Sequence, residues 1–173
     1  HCPLMSLPLA FGTTIETVPH FDRYMFAPSS HREKWAAVTG QLSSPKIGII
    51  ARGSSSFSNN KNRSFDLKAL FARLPKHPSY VVLQKDLSDD ERAFIDSCDN
   101  VIAPGEARET FSDTAAICTN LDQVISVDTG VAHLSAALGK PTTILLAYRA
   151  DWRWCAESET TRWYPSVKLM RQA

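Results

Sequence analysis

The feature that most constrains this chain is an alternation that begins at residue 46. Short, continuously apolar segments recur there between amphipathic ones. The apolar segments predict strands over Lys46–Ala51, Tyr80–Gln84, Asn100–Ala103, Gln123–Val127, Thr142–Ala147 and Val167–Met170. Helical spacing predicts helices over Phe65–Leu74, Ser88–Ser97, Ser112–Leu121 and Thr129–Leu138. Ser88 with Glu91 three residues on is a capping-box pattern, and Ser112 reads as the cap of its helix. Gly139, followed by Pro141, closes the helix that starts at Thr129. Strands that are apolar without alternation are buried on both faces, which calls for a parallel sheet covered by helices on both sides. The predicted fold class is α/β, a Rossmann-like doubly wound parallel sheet.

A chain of 173 residues suffices for one such domain with a real core. Residues 1–30 are rich in proline and aromatics and read as a connecting segment, with a short helix around Met5 to Phe11. Residues 31–41 predict a linker helix ending near Gly40, so the expected division is 1–41 connecting and 42–173 Rossmann-like. The chain begins at His1 and reads as a piece of a larger protein. A formal net charge of +1 gives no field that would draw a nucleic acid or an anionic membrane. No apolar run approaches the roughly 20 residues of a membrane span. Cys2, Cys98, Cys118 and Cys155 form no C-x-x-C pair and read as free buried thiols in a reducing, cytoplasmic setting.

In open α/β sheets, ligands bind beyond the carboxyl ends of the strands. Four segments fall there. The loop Arg52–Ser64 is small, polar and basic, and leads into a helix. Its Gly53, Ser54, Asn59, Arg63 and Ser64 suit an anion, and a mobile surface loop is the rival reading. Gln84 and Lys85 end the next strand; the lysine suits a diphosphate and the glutamine a base edge, against the rival of a solvated turn. In the third segment, Asp128, Thr129 and Gly130 pass from strand to helix within about two residues, and Gly130 admits a close ligand. Asp128 repels phosphate and fits as an N-cap or as an acceptor for ribose or sugar hydroxyls. His133 shares a helix face with Thr129, away from the core stripe of Val131, Leu134 and Leu138. A plain capped helix with an incidental histidine is the rival. The fourth segment, Asp151-Trp152-Arg153-Trp154 with Trp163-Tyr164-Pro165, suits either sugar stacking or aromatic packing of a returning chain, and Arg153 either a phosphate or an ion pair.

These segments, with Leu138-Gly139-Lys140-Pro141 between the third and fourth, occur in an order that resembles the C-terminal domain of bacterial tetratricopeptide-repeat-associated glycosyltransferases. That family is related to the lipopolysaccharide heptosyltransferases and, more distantly, to the O-linked N-acetylglucosamine transferase. The start Pro3-Leu4-Met5-Ser6-Leu7-Pro8 resembles the end of the family's N-terminal domain. The resemblance implies a GT-B fold whose C-terminal half holds a nucleotide diphosphate-sugar, UDP first, with GDP or ADP as alternatives. Arg63 and Lys85 would contact the diphosphate, Asp128, Thr129 and Gly130 would line phosphate and ribose, and His133 would sit on the phosphate side. The catalytic base would lie in an N-terminal Rossmann-like domain of the same protein, and the acceptor would be a protein, glycan or lipid. The chain departs from the family at Phe57, where a histidine is common, and at Asn60, where an aspartate is common.

The implied reaction is an inverting, metal-independent glycosyl transfer without a cofactor, in which cations and a helix N-terminus stabilise the leaving diphosphate. A catalytically silent nucleotide-sugar-binding or scaffold module and a GT-B-like nucleotide-sugar epimerase are the alternatives. A dehydrogenase is disfavoured, because no glycine fingerprint follows the first strand.

Overall fold

The computed structural model describes residues 1–54 and 60–172. Six strands form one sheet: β1 (Lys46–Ile50), β2 (Ser79–Val82), β3 (Val101–Ile102), β4 (Gln123–Val127), β5 (Thr142–Leu146) and β6 (Val167–Arg171). Their spatial order is β3-β2-β1-β4-β5-β6, and every neighbouring pair is parallel. The strand order reverses between β1 and β4, which creates a crevice at the carboxyl ends of those two strands.

Alternate side chains of the strands feed opposite faces. On one face, Ile50, Val81 and Val124 pack with α2 (Ser29–Thr39), α6 (Phe111–Thr119) and α7 (Gly130–Ala137), centred on Trp35, Ile117 and Leu134. On the other, Ile49, Tyr80 and Val82 pack with α4 (Leu67–Phe71) and α5 (Asp89–Asp96) through Leu67, Phe71 and Ile95. A third cluster joins Ile144, Leu146, Val167 and Leu169 to Ala132, Ala136 and Trp154. The doubly wound parallel sheet expected from the alternation is therefore present, with its six strands in the predicted places.

The N-terminal segment carries a 3-10 turn (Leu4–Ser6) followed by α1 (Leu7–Ala10), and Ala27 is its first buried residue. The N–H groups of Tyr24 and Met25 both donate to the Ala137 carbonyl, at 3.0 and 3.1 Å. Gly139 follows α7 with φ +73°, and a Cβ there would meet the Asp22 carbonyl oxygen at 2.7 Å, so this close of helix and arm requires glycine. Helix α2 docks on α6 through Trp35, whose Nε1 donates to Asp113 Oδ1 at 2.8 Å.

Three local expectations are corrected. The cap of α6 is Thr110, not Ser112: Thr110 accepts from the Asp113 N–H while Asp113 accepts from the Thr110 N–H, a complete capping box two residues earlier. The stretch expected to be loop before Phe65 contains a four-residue helix, α3 (Asn60–Arg63). Among the cysteines only Cys118 is buried, and Cys2 is exposed. Burial pushes the Cys118 thiol up to about 12, so it stays protonated. The Ser88–Glu91 capping box of α5 forms as predicted. No helix among the described residues is long and apolar enough to cross a membrane.

Candidate functional site

The site builds outward from the end of β4. Its last residues, Ser126 to Thr129, turn into α7 with Thr129 as the cap; Thr129 Oγ1 accepts from the Ala132 N–H at 3.3 Å and pairs with Ser126 Oγ at 3.0 Å. The capping role considered for Asp128 thus belongs to Thr129, one residue on. This leaves Asp128 half-buried, with its carboxylate 3.8 Å from His133 Nε2. Gly130 is exposed at the first position of the helix, where N–H groups lack intrahelical acceptors and the helix dipole is positive.

Arg63 reaches this point from the neighbouring loop. Its Nη1 donates to the Asp128 carbonyl at 2.6 Å, and its Nε to Asn60 Oδ1 at 3.4 Å. The same Asn60 oxygen accepts from the Gly53 N–H at 3.0 Å, so the amide supplies the acceptor that an aspartate would offer here. The guanidinium lies against Gly53: a Cβ there would fall on Nη2 and stand 2.8 Å from Cζ. Ser64 is turned inward, its hydroxyl donating to the Asn60 carbonyl at 2.6 Å, and Phe65 N–H bonds the Ala51 carbonyl. The loop is thus tied to β1 at both described ends. Asn59 lies outside the described residues, as does Phe57.

Two cavities open on this point. One, of about 310 Å³, is lined by Gly53, Ser54, Gln84, Lys85, Thr129 and the segment after β3. The other, of about 270 Å³, is lined by Arg63, Asp128, Arg149 and Asp151. Lys85 is exposed on the first cavity and has no protein partner among the described residues. Gln84 is buried, and its Oε1 accepts from the Arg52 N–H at 3.1 Å, so that oxygen braces the loop. Arg52 itself is held by Glu91 at 2.5 and 2.7 Å and by the Asp86 carbonyl. The Arg52 hydrogen bonds hold the Glu91 carboxyl below its ordinary value.

His133 is not incidental to the packing. Its ring stacks on the buried Trp154 at 5.0 Å, and Nδ1 lies 3.0 Å from Tyr164 Oη. Burial pushes the imidazole below its ordinary pKa against the opposing pull of Asp128, so it is neutral near pH 7. Asp151 and Arg153 pair with each other at 2.8 Å, and Arg153 also lies 4.7 Å over the Trp152 ring. The tryptophan cluster therefore divides: Trp154 is core, while Trp152 is exposed and meets Trp163 edge-on.

Sequence reasoning missed the stretch that runs from the loop after β3 into the first turn of α6. Arg108, Glu109, Thr110, Phe111 and Thr114 all line the first cavity. Arg108 is only 9% exposed and Phe111 66%. The strand itself is predicted, over Asn100–Ala103, but the loop that follows its two residues is not among the strand ends read as able to bind a ligand. Among the described residues, no group of three or more His, Cys, Asp or Glu side chains is placed to hold a metal ion.

A parallel six-stranded sheet, covered on both faces and opening at its switch point onto two cavities, defines a Rossmann-like domain of the kind found in GT-B glycosyltransferases. The model of glycosyltransferase family 9 (heptosyltransferase) matches residues 41–159, and the chain belongs to that family. Among solved structures it is similar to a family 9 glycosyl transferase from Veillonella parvula, at TM-score 0.60 and 13% identity, over 86% of this chain and 42% of that one. It is also similar to the E. coli ADP-heptose lps heptosyltransferase II, at TM-score 0.57 and 12% identity, over 93% of this chain and 49% of that one. At such identities the likeness is one of fold. The chain spans less than half the length of each. A search of curated proteins returned no match.

Proposed function

We propose that this chain is the donor-binding half of a glycosyltransferase that takes a nucleotide diphosphate-sugar. The observation that carries the reading is the start of α7 at the switch point, flanked by Arg63 on one side and Lys85 on the other. In this reading the diphosphate lies across Gly130, against Gly53, Ser54 and Ser64. The nucleoside enters the cavity beside Lys85, and the sugar turns toward Asp128 and Asp151. Asp128 accepts from hydroxyls, and His133 holds the Asp128 side of the site in place through its stack on Trp154.

The chemistry asked of this half is stabilisation of charge on the leaving diphosphate. Two cations and a helix N-terminus supply it without a metal or cofactor. The reaction is inverting, and the base that activates the acceptor belongs to an N-terminal Rossmann-like domain of the same protein. The acceptor is a protein, glycan or lipid. UDP is the first choice of nucleotide, with GDP or ADP as alternatives. The order of the segments supports kinship with the tetratricopeptide-repeat-associated members and a cytoplasmic setting.

Lys85→Ala tests the reading with least risk to the fold, because the side chain is exposed and has no partner among the described residues. Calorimetry should show nucleoside diphosphate affinity falling by about tenfold or more, the value of one charge-assisted contact. Arg63→Ala should cost at least as much. Wild-type affinity in both variants would sink the assignment.

A further inference from the structure

One ring nitrogen of neutral His133 holds a proton, and the surroundings of the ring decide which. Nε2 is turned to Asp128, whose carboxylate lies 3.8 Å away and which lines the second cavity. Nδ1 is turned the other way, 3.0 Å from the Tyr164 hydroxyl. Buried Trp154 lies 5.0 Å from the ring and fixes its plane, but an indole face does not choose between the two nitrogens. The two ends of this chain of contacts do. A carboxylate only accepts, so it favours an N–H on the nitrogen beside it and opposes a lone pair there. At the far end, the Tyr24 hydroxyl of the N-terminal arm donates to the Tyr164 oxygen across a long contact of 3.5 Å. A phenol has one proton, and Tyr164 is left to direct its own to Nδ1. Burial pushes the Tyr164 phenol up and the His133 imidazole down, so the first keeps its proton and the second stays neutral near pH 7. Arg153 adds to the lowering at His133, while Asp128 and Asp151 oppose it.

We propose that Tyr164 is a positioning residue of this site: its hydroxyl donates to Nδ1 and so holds His133 as the tautomer protonated on Nε2. The proposal rests on the donor-site reading above and adds to it how the histidine is set. At 3.8 Å from Asp128 the Nε2 proton is beyond hydrogen-bond length, and it has no acceptor among the described residues. It is therefore available to an oxygen of the ligand, and a phosphate oxygen is such an acceptor. The opposite tautomer would turn a lone pair to the same place, against both the carboxylate and the phosphate. Tyr164 lines neither cavity and reaches the site only through the ring. Its own place is kept by the arm: the Tyr24 and Tyr164 rings stack at 6.5 Å, and the Tyr24 and Met25 N–H groups tie the arm to α7.

The test is ring-nitrogen NMR of the intact protein at about pH 8, above the histidine midpoint, joined to calorimetry with ADP and UDP. In wild type, Nε2 should carry the proton and Nδ1 should resonate as a bare nitrogen that accepts a hydrogen bond. Tyr164→Phe keeps the aromatic ring and removes the hydroxyl. Its Nδ1 signal should move toward that of an unbonded nitrogen. Its affinity for whichever nucleotide binds should fall by about three- to tenfold, the value of one hydrogen bond. In a His133→Ala background the same substitution should change affinity by less than about twofold, because Tyr164 acts through the ring. A proton on Nδ1 in wild type, an Nδ1 signal unmoved by Tyr164→Phe, or an equal loss of affinity in both backgrounds would overturn the proposal and leave the donor site standing. If neither nucleotide binds, the donor-site reading falls, and the ring spectra alone decide the tautomer. The wild-type spectrum decides it even if a variant folds poorly.

Discussion

Adding one methyl group at Gly53 should separate the stability of this domain from its ligand affinity. The backbone there is not in the left-handed region, so alanine is sterically allowed except for what it meets. What it meets is the Arg63 guanidinium, with Cζ 2.8 Å from the new Cβ, and the Asn60 Oδ1 at 2.9 Å. Arg63 is a flexible side chain and will swing away, giving up its bonds to the Asp128 carbonyl and Asn60. The lost charge-assisted bond is worth about 1.5–3 kcal/mol if nothing replaces it. Arg63 is half-buried and gains water in exchange, which brings the net loss to about 1 kcal/mol. Alanine also lowers the entropy of the unfolded chain, which returns about 0.4–1 kcal/mol. Gly53→Ala should therefore melt within a few degrees of wild type. Its affinity for a nucleoside diphosphate should fall by about 10- to 100-fold, because the cation no longer faces the start of α7. The assay is a thermal melt without ligand beside a calorimetric titration. Unchanged affinity at unchanged melting temperature would refute the role given to Arg63, and a large fall in melting temperature would refute the claim that the guanidinium can move cheaply.

Asp113 joins the α6 cap to α2 and should be among the costliest polar residues to remove. Asp113→Ala should lower stability by about 3 kcal/mol in urea titrations, since it strands the Trp35, Lys34 and Thr110 donors. Burial opposes ionisation of this carboxyl, but those donors outweigh it and hold the group well below the usual carboxylate range. Its stabilising contribution is therefore complete above about pH 4 and lost as the pH falls below that, a slope that Asp113→Asn should flatten. For His133, burial depresses the pKa, so an NMR titration should find its midpoint below about 6.5, and Asp128→Asn should lower it further. The domain should accordingly lose stability as the pH drops through the unfolded value of about 6.5, and a His133 midpoint above that value would contradict the packing described.

The sheet was readable because β1, β4 and β5 are short apolar runs with no alternation, and only a parallel sheet buried on both faces accepts them. Helix starts were less readable. Ser112 is an adequate cap by type, but Thr110 wins because Asp113 stands three residues on and closes the box. Helix α3 has no apolar face to betray it, and its formation follows from tertiary ties to Gly53 and Asp128. The strand-to-helix turn at Asp128–Gly130 was legible as a turn, because the end of the apolar run and Gly130 are local facts. Which of its residues caps the helix was not, since Asp128 and Thr129 both qualify by type. Arg108 was illegible for a different reason. One arginine in a polar loop looks solvated, and only the folded structure, in which its Nη1 donates to Thr114 of α6, shows that it is buried.

The central claim is that the start of α7 receives a diphosphate. Amide NMR of the labelled protein, titrated with a nucleoside diphosphate and separately with the bare nucleoside, tests it most directly. The account predicts that the diphosphate moves the Gly130 and Val131 amides most, with Gly53 and Lys85 following, and that the nucleoside alone leaves Gly130 and Val131 nearly in place. Shifts confined to residues remote from the carboxyl ends of β1 and β4, or identical shifts with nucleoside and diphosphate, would contradict it.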